Sequence, residues 1–151
     1  MARGLSVGDR APDFALPSTQ GEVSLAALCE RGSVLLVFYP GDDTPVCTKQ
    51  LCDYRDHLGA FADLGVQVVA INPQPMASHE AFAQKHALPF PVASDADKRV
   101  CRAYDAIGLL GMTKRALVLV GPDGRVRWTR TDLPVFHRSA AELREVIASL
   151  P

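Results

Sequence analysis

Phe38-Tyr39-Pro40-Gly41-Asp42-Asp43-Thr44-Pro45-Val46-Cys47-Thr48-Lys49-Gln50-Leu51-Cys52 reads as the end of a strand, a short loop and the start of a helix. Upstream, Ser33-Val34-Leu35-Leu36-Val37-Phe38-Tyr39 is an almost unbroken apolar run, the pattern of a strand buried on both faces. Downstream, Leu51, Tyr54, Leu58 and Phe61 recur at helical spacing, with Cys47 one turn before Leu51 on the same face. Between them, Thr44 is a natural N-cap. Pro45 suits the first helical position, where its missing N–H has no partner to lose. That count makes Cys47 the third helical residue, beside unpaired N–H groups and the positive end of the helix dipole. A thiolate gains more from this position than a thiol does.

Ionisation alone achieves little. A free cysteine with a pKa of about 8.5 is roughly 3% thiolate at neutral pH, so complete ionisation raises reactivity at most about thirtyfold. An acidified sulfur is also intrinsically less nucleophilic. A fast reaction at Cys47 therefore needs neighbours that stabilise charge developing on the atom under attack.

The 151 residues, 48% of them hydrophobic, suit one domain spanning residues 1–151. A formal net charge of −1 points to neither nucleic acid nor an anionic membrane as a partner. No apolar run approaches the ~20 residues of a membrane span. Met1-Ala2-Arg3-Gly4-Leu5-Ser6 lacks the hydrophobic segment of a secretory signal. The expectation is a soluble cytoplasmic protein, in which a disulfide is more often catalytic than structural.

Residues 8–30, with the turn Gln20-Gly21, read as a short hairpin entering a small helix at Leu25–Cys29. The strand at 34–39 and a cysteine helix over about 47–62 follow. Val66-Gln67-Val68-Val69-Ala70-Ile71 completes a strand–helix–strand unit, expected to be parallel and right-handed. Ser78 caps a helix running to His86, Leu88-Pro89-Phe90-Pro91-Val92 is an extended connection, and Val100, Tyr104 and Ile107 mark another helix. Ala116–Val120 and Val126–Trp128 flank Gly121-Pro122-Asp123-Gly124, a hairpin with strong turn chemistry. Ser139 and Glu142 form a capping box opening a last helix with Leu143, Val146, Ile147 and Leu150 on its face. The fold class is α/β: a thioredoxin-like, central mixed β-sheet flanked by helices, with an N-terminal β-hairpin.

Pro40-x-x-x-Thr44-x-x-Cys47 resembles the active-site motif of peroxiredoxins, thiol peroxidases that reduce hydroperoxides. Its extension through Cys52-Asp53-Tyr54-Arg55-Asp56 resembles the Q-type branch, the bacterioferritin comigratory proteins. The similarity runs over nearly the whole chain. It takes in Val7-Gly8-Asp9-x-Ala11-Pro12-Asp13-Phe14, Ser78-His79-Glu80-x-Phe82, Leu88-Pro89-Phe90-Pro91 and Ser94-Asp95. Each is weak alone, and in this order they are specific.

The resemblance implies that Cys47 is the peroxidatic cysteine, attacking the O–O bond and becoming a sulfenic acid. It implies that Thr44 offers its hydroxyl to the peroxide and that Pro40 shields the thiolate from water. An arginine on a later strand completes the family's pocket. Its match is Arg115, directly before the apolar strand, with Lys114 as the fallback; a guanidinium is the charge stabiliser required above. Cys52 resembles the resolving cysteine. Five residues along a helix separate two Cα atoms by about 8.7 Å, beyond the ~7 Å a disulfide spans, so a Cys47–Cys52 bond requires the helix to unwind. Position 50 is glutamine where the family frequently has glutamate, and Asn72 stands where serine is common.

Three functions compete. The first is a thiol-dependent peroxidase of hydrogen peroxide and organic hydroperoxides, without cofactor or metal, a monomer or weak homodimer recycled by thioredoxin or a similar dithiol. The second is a redox sensor or relay that passes the Cys47–Cys52 disulfide to a client protein. The third, a metal-binding module, has only these two thiols to offer. A general disulfide oxidoreductase lacks its Cys-x-x-Cys spacing. Cys29 and Cys101 read as small core residues. His57, His79, His86 and His137 lack metal-ligand spacing, and Arg125, Arg127 and Arg130 read as a solvated hairpin edge.

Overall fold

The computed structural model describes residues 5–132 and 137–151, save the side chain of Leu109; the sequence reading of Met1–Gly4 lies outside them. The apolar run around Leu35 forms the middle strand, β3 (Ser33–Phe38), buried along its whole length. It pairs in parallel with β4 (Val66–Asn72), which pairs in parallel with β5 (Val92–Ser94). On its other side it pairs antiparallel with β6 (Arg115–Val120), and β6 with β7 (Val126–Asp132). The order β5-β4-β3-β6-β7 is a mixed sheet. A small antiparallel hairpin, β1 (Ala15–Leu16) with β2 (Val23–Ser24), leads into α1 (Leu25–Cys29), which Ser24 caps from its side chain. Ser94 N–H donates to the Pro17 carbonyl at 2.9 Å, so the segment beside this hairpin covers the β5 edge.

Because both faces of the sheet are covered, alternate residues of one strand serve different cores. Val34, Leu36 and Phe38 pack with the N-terminal hairpin, α1 and α5 (Arg99–Ala103). Leu35, Val37 and Tyr39 pack with residues of α2 (Pro45–Asp56), α3 (Leu58–Asp63), α4 (Met76–Lys85) and α6 (Ala140–Ser149). On β6 the same alternation turns Leu117 and Leu119 toward the α2 face. Arg115, two residues before Leu117, shares that face. The Gly121–Gly124 hairpin forms as expected, with Gly124 at φ 77° where the turn needs a left-handed residue.

Several local expectations are corrected. The cysteine helix is two helices, broken at His57. The His57 ring Nδ1 donates to the Asp53 carbonyl at 2.9 Å. That carbonyl is the acceptor a continuing helix would give to the backbone N–H of His57, so a side chain outcompetes the main chain there. Ser78 does not cap α4: the helix starts earlier, at Met76, with Pro75 in the cap position. The extended connection runs on into a strand, since Val92–Ser94 pairs with β4. Ile107 lies beyond α5, which ends with Tyr104 as its cap and Asp105 at φ 55°. Ala106 N–H reaches back to the Cys101 carbonyl at 2.7 Å and Asp105 N–H to Arg102 at 3.0 Å, a Schellman closure built without glycine. The last helix opens as read, with Ser139 accepting from Glu142 N–H at 3.1 Å.

Leu36 is fully buried on the face away from Cys47. Leu36→Ala should cost about 3 kcal/mol, read as a lower urea midpoint at constant slope, while alkylation of Cys47 in the folded protein proceeds at its normal rate.

Candidate active site around Cys47

The start of α2 follows its local signals. Thr44 is extended, Pro45 is the first helical residue and Cys47 the third. Thr44 sits in the cap position without capping, because its Oγ1 donates backward to the Gly41 carbonyl at 3.2 Å. The residue is exposed, Pro40 is half-buried, and Cys47 has no exposed surface. The sulfur thus lies beneath a rim formed by the loop that connects β3 to α2.

Arg115 arrives from β6, on the face its alternation dictates. Its Nη2 donates to Cys47 Sγ at 3.2 Å and its Nη1 to Gln50 Oε1 at 2.6 Å. Gln50 Nε2 donates in turn to Tyr54 Oη at 3.1 Å, and Tyr54 Oη donates to the Arg138 carbonyl at 2.7 Å. Burial raises the Tyr54 pKa, which keeps its hydroxyl a donor. Arg115 is only 2% exposed, so its charge acts on the sulfur through little water. Lys114 turns elsewhere, to Asp105 at 3.8 Å. Sequence alone left the two cations as choice and fallback; in the structure it is Arg115 that contacts the Cys47 sulfur.

Cys52 is half-buried on the same unbroken helix, and all four cysteines are free thiols. Cys29 and Cys101 belong to the core on the opposite face of the sheet. Burial, then Asp13 and Asp123, push the Cys29 thiol up; burial and Asp95 push Cys101 up further. Neither is suited to act as a nucleophile. Arg125 donates to the Gly8 carbonyl at 3.0 Å and Arg127 to that of Pro151 at 3.1 Å, so this hairpin edge is bonded rather than merely solvated. Among the described residues no group of three His, Cys, Asp or Glu is placed to hold a metal ion.

One part of the site escaped the sequence reading. Asp42, in the middle of the rim, has its carboxylate buried and accepts from three side chains. These are Tyr39 Oη at 2.5 Å, Ser78 Oγ at 2.6 Å and His79 Nδ1 at 2.7 Å. The hydroxyl read as a helix cap is thus spent on Asp42, and a histidine read as scattered is buried against it. Backbone ties add to this. Asp42 N–H donates to Gln74 Oε1 at 2.5 Å, Asn72 Nδ2 to the Tyr39 carbonyl at 3.0 Å, and Gln74 N–H to Asn72 Oδ1 at 2.6 Å. Asn72, singled out for replacing serine, spends its amide holding the rim to β4. The one available signal was a pair of acids, Asp42 and Asp43, in a loop otherwise built of Pro, Gly and Thr.

The arrangement suits one kind of chemistry. A guanidinium hydrogen-bonded to a sulfur at the positive end of α2 offers its charge to a thiolate that attacks a small electrophile. The same guanidinium can also offset negative charge forming on the leaving atom.

The family model described as AhpC/TSA matches residues 7–129. Peroxiredoxin Bcp of Bacillus subtilis is 31% identical over 130 residues, which cover 81% of this chain and 82% of that one. Among solved structures, peroxidoxin BcpB from Mycobacterium tuberculosis superposes with a TM-score of 0.82 at 30% identity, covering 95% of each chain. Xanthomonas campestris peroxiredoxin Q superposes with a TM-score of 0.80 at 27% identity, over 96% of this chain and 94% of that one.

Burial alone would raise the Asp42 pKa, but the hydrogen bonds from His79, Ser78 and Tyr39 outweigh it and hold the carboxyl below its ordinary value. A lowered folded-state pKa contributes stability that is complete above the unfolded value of about 3.9 and disappears as pH falls through the folded value. Asp42→Asn should therefore be less stable than the parent at pH 7, and the gap should shrink as pH drops below about 4. Thermal midpoints of both proteins across that range check it; a gap independent of pH would contradict it.

Proposed function

The chain belongs to the AhpC/TSA family, in the peroxiredoxin branch named Bcp or Q, and from that premise we propose that Cys47 is the thiol its peroxidase activity uses. The protein is a thiol-dependent peroxidase acting on hydroperoxides and reduced by thioredoxin-like dithiols. What supports Cys47 above all is a single contact, the 3.2 Å approach of Arg115 Nη2 to its sulfur at the N-terminus of α2.

The Cys47 thiolate attacks one peroxide oxygen, forming an S–O bond as the O–O bond breaks. The departing oxygen takes a proton and leaves as water or an alcohol, and Cys47 becomes a sulfenic acid. Arg115 stabilises the charge on the breaking bond, Thr44 turns its hydroxyl from the Gly41 carbonyl to the peroxide, and Pro40 keeps water from the sulfur. Cys52, as thiolate, then attacks the Cys47 sulfur; the S–S bond forms and the oxygen departs as water. A thioredoxin-type dithiol reduces the disulfide and restores both thiols. The chain works through this cycle as a single domain over residues 1–151.

Burial and spacing support a helix that opens between the two half-reactions. Cys47 has no exposed surface, so a protein reductant cannot reach it in the folded helix. Cys47 and Cys52 share α2, with Cα atoms about 8.7 Å apart by helix geometry. Disulfide formation therefore draws Cys47 away from Arg115 and dismantles the peroxide pocket.

Four outcomes test the assignment and the opening of the helix. Cys47→Ser should abolish peroxide-dependent oxidation of a thioredoxin–thioredoxin reductase couple, and more than trace turnover would remove Cys47 from its role. Arg115→Ala should fold normally and lose about 10²–10³ in the second-order rate with peroxide, the worth of a charge stabiliser at the reacting centre. Cys52→Ser should complete one turnover and then accumulate Cys47 as sulfenic and, with excess peroxide, sulfinic acid by mass spectrometry. In the parent protein, oxidation should speed hydrogen exchange within residues 47–52 while β3 and β6 stay protected; a segment equally protected in the disulfide form would rule out unwinding.

A further inference from the structure

The loop between β3 and α2 carries Pro40 and Thr44, yet neither side chain holds it in place. Among the described residues the Thr44 side chain bonds within the loop, to the Gly41 carbonyl. Thr44 and Asp43 are exposed, and Asp43 stands at φ 60°, a left-handed conformation unfavourable for a residue with a side chain. Such a conformation persists only where its surroundings impose it. Asp42 is where they do so. Its carboxylate draws together Tyr39 at the end of β3 with Ser78 and His79 in the first turn of α4. The second ring nitrogen of His79 faces the Asn72 carbonyl at 3.3 Å, extending the anchor to the end of β4. Gly41 lies so close to Gln74 that a Cβ there would meet Oε1 at 3.2 Å, so the backbone fits against the anchor with little slack.

We propose that Asp42, with Ser78 and His79, is a positioning residue for peroxide reduction: it fixes the Pro40–Thr44 loop over the Cys47 sulfur and so aligns the incoming peroxide. The inference rests on the peroxidase reading above. Its physical basis is that aligned reaction needs the reacting atoms held to a fraction of an ångström, and a displacement of about 1 Å can cost about a hundredfold in rate. The anchor meets the site through the loop and through Tyr39, whose hydroxyl lies near enough to Cys47 to feel its charge. Asp42 bonds to Tyr39, Ser78 and His79, whereas the cation bonded to the sulfur is Arg115, from β6. Removing the carboxylate should therefore leave the Arg115–Cys47 contact in place and misplace the loop.

The test separates alignment from general loosening by measuring two reactions of the same thiol. One is stopped-flow oxidation by hydrogen peroxide, which needs the aligned pocket. The other is alkylation by iodoacetamide, which needs the thiolate but none of the peroxide's contacts. Asp42→Asn should lower the peroxide rate by about a hundredfold and leave alkylation nearly unchanged. Ser78→Ala, which keeps the Asp42–His79 bond, should show the same split at smaller amplitude, and it decides the matter if Asp42→Asn does not fold. Parallel loss of both rates, or no loss of either in a folded variant, would overturn the proposal. The parent protein and Cys47→Ser run alongside: a parent that peroxide does not oxidise at Cys47 refutes the peroxidase reading itself. Rapid oxidation of parent and Asp42 variants alike refutes only the positioning role.

Discussion

Bringing a guanidinium against a sulfur inside the protein is the constraint around which the rest of this structure is arranged. Arg115 is almost wholly buried, and an ion taken out of water costs several kcal/mol unless its donors are met. Here two of them are met by Cys47 and Gln50, both from the first turns of α2. The contact therefore does two things at once. It brings positive charge to the sulfur, and it ties the start of α2 to β6. Gln50 meets the guanidinium with a neutral oxygen, where a glutamate would bring a second anion to compete with the sulfur for the same charge.

The helix that carries this contact is held unevenly along its length. Immediately after Cys52, three successive residues reach three separate places. Asp53 accepts from Ala140 N–H at 2.7 Å, Tyr54 donates to the Arg138 carbonyl at 2.7 Å, and Arg55 donates to that of His86 at 2.6 Å. The half of α2 beyond Cys52 is thus rooted in α6 and the end of α4. The half bearing Cys47 depends on the Arg115 contact and on its packing. A disulfide cycle that pulls Cys47 toward Cys52 gives up the contacts of the first half and can keep those of the second. Asp42 bounds the other side, with its partners at the end of β3 and on α4, outside α2.

The two faces of the sheet divide the remaining labour. Cys29 and Cys101, deep in the opposite core with raised pKa values, are kept from the thiol chemistry by a full layer of strands. The face bearing Cys47 gathers α2, α4 and α6, the elements whose polar groups build the site. Strand alternation does the sorting, since Leu117 and Leu119 face α2 and Arg115 follows them in step.

By itself the sequence determined the strands around Leu35, Val68 and Leu117, the glycine-closed hairpin at 121–124, the start of α2 at Thr44-Pro45 and the place of Cys47 in its first turn. Each of these is written in residues adjacent to one another or one helical turn apart: continuous apolar runs, a cap followed by proline, a turn residue that tolerates positive φ. Only the tertiary structure decided that the cysteine helix breaks at His57, that α5 closes on Asp105, and that Ser78 and His79 serve Asp42 instead of their own helix. The first two turn on competition between neighbouring groups, the His57 ring against its own backbone and an aspartate in a position usually given to glycine. The last joins residues 36 and 37 positions apart, as Arg115 meets Cys47 across 68. Bonds at such separations exist because the folded chain brings two buried polar groups together and burial obliges each to find a partner. No local pattern of residues specifies which partner that is.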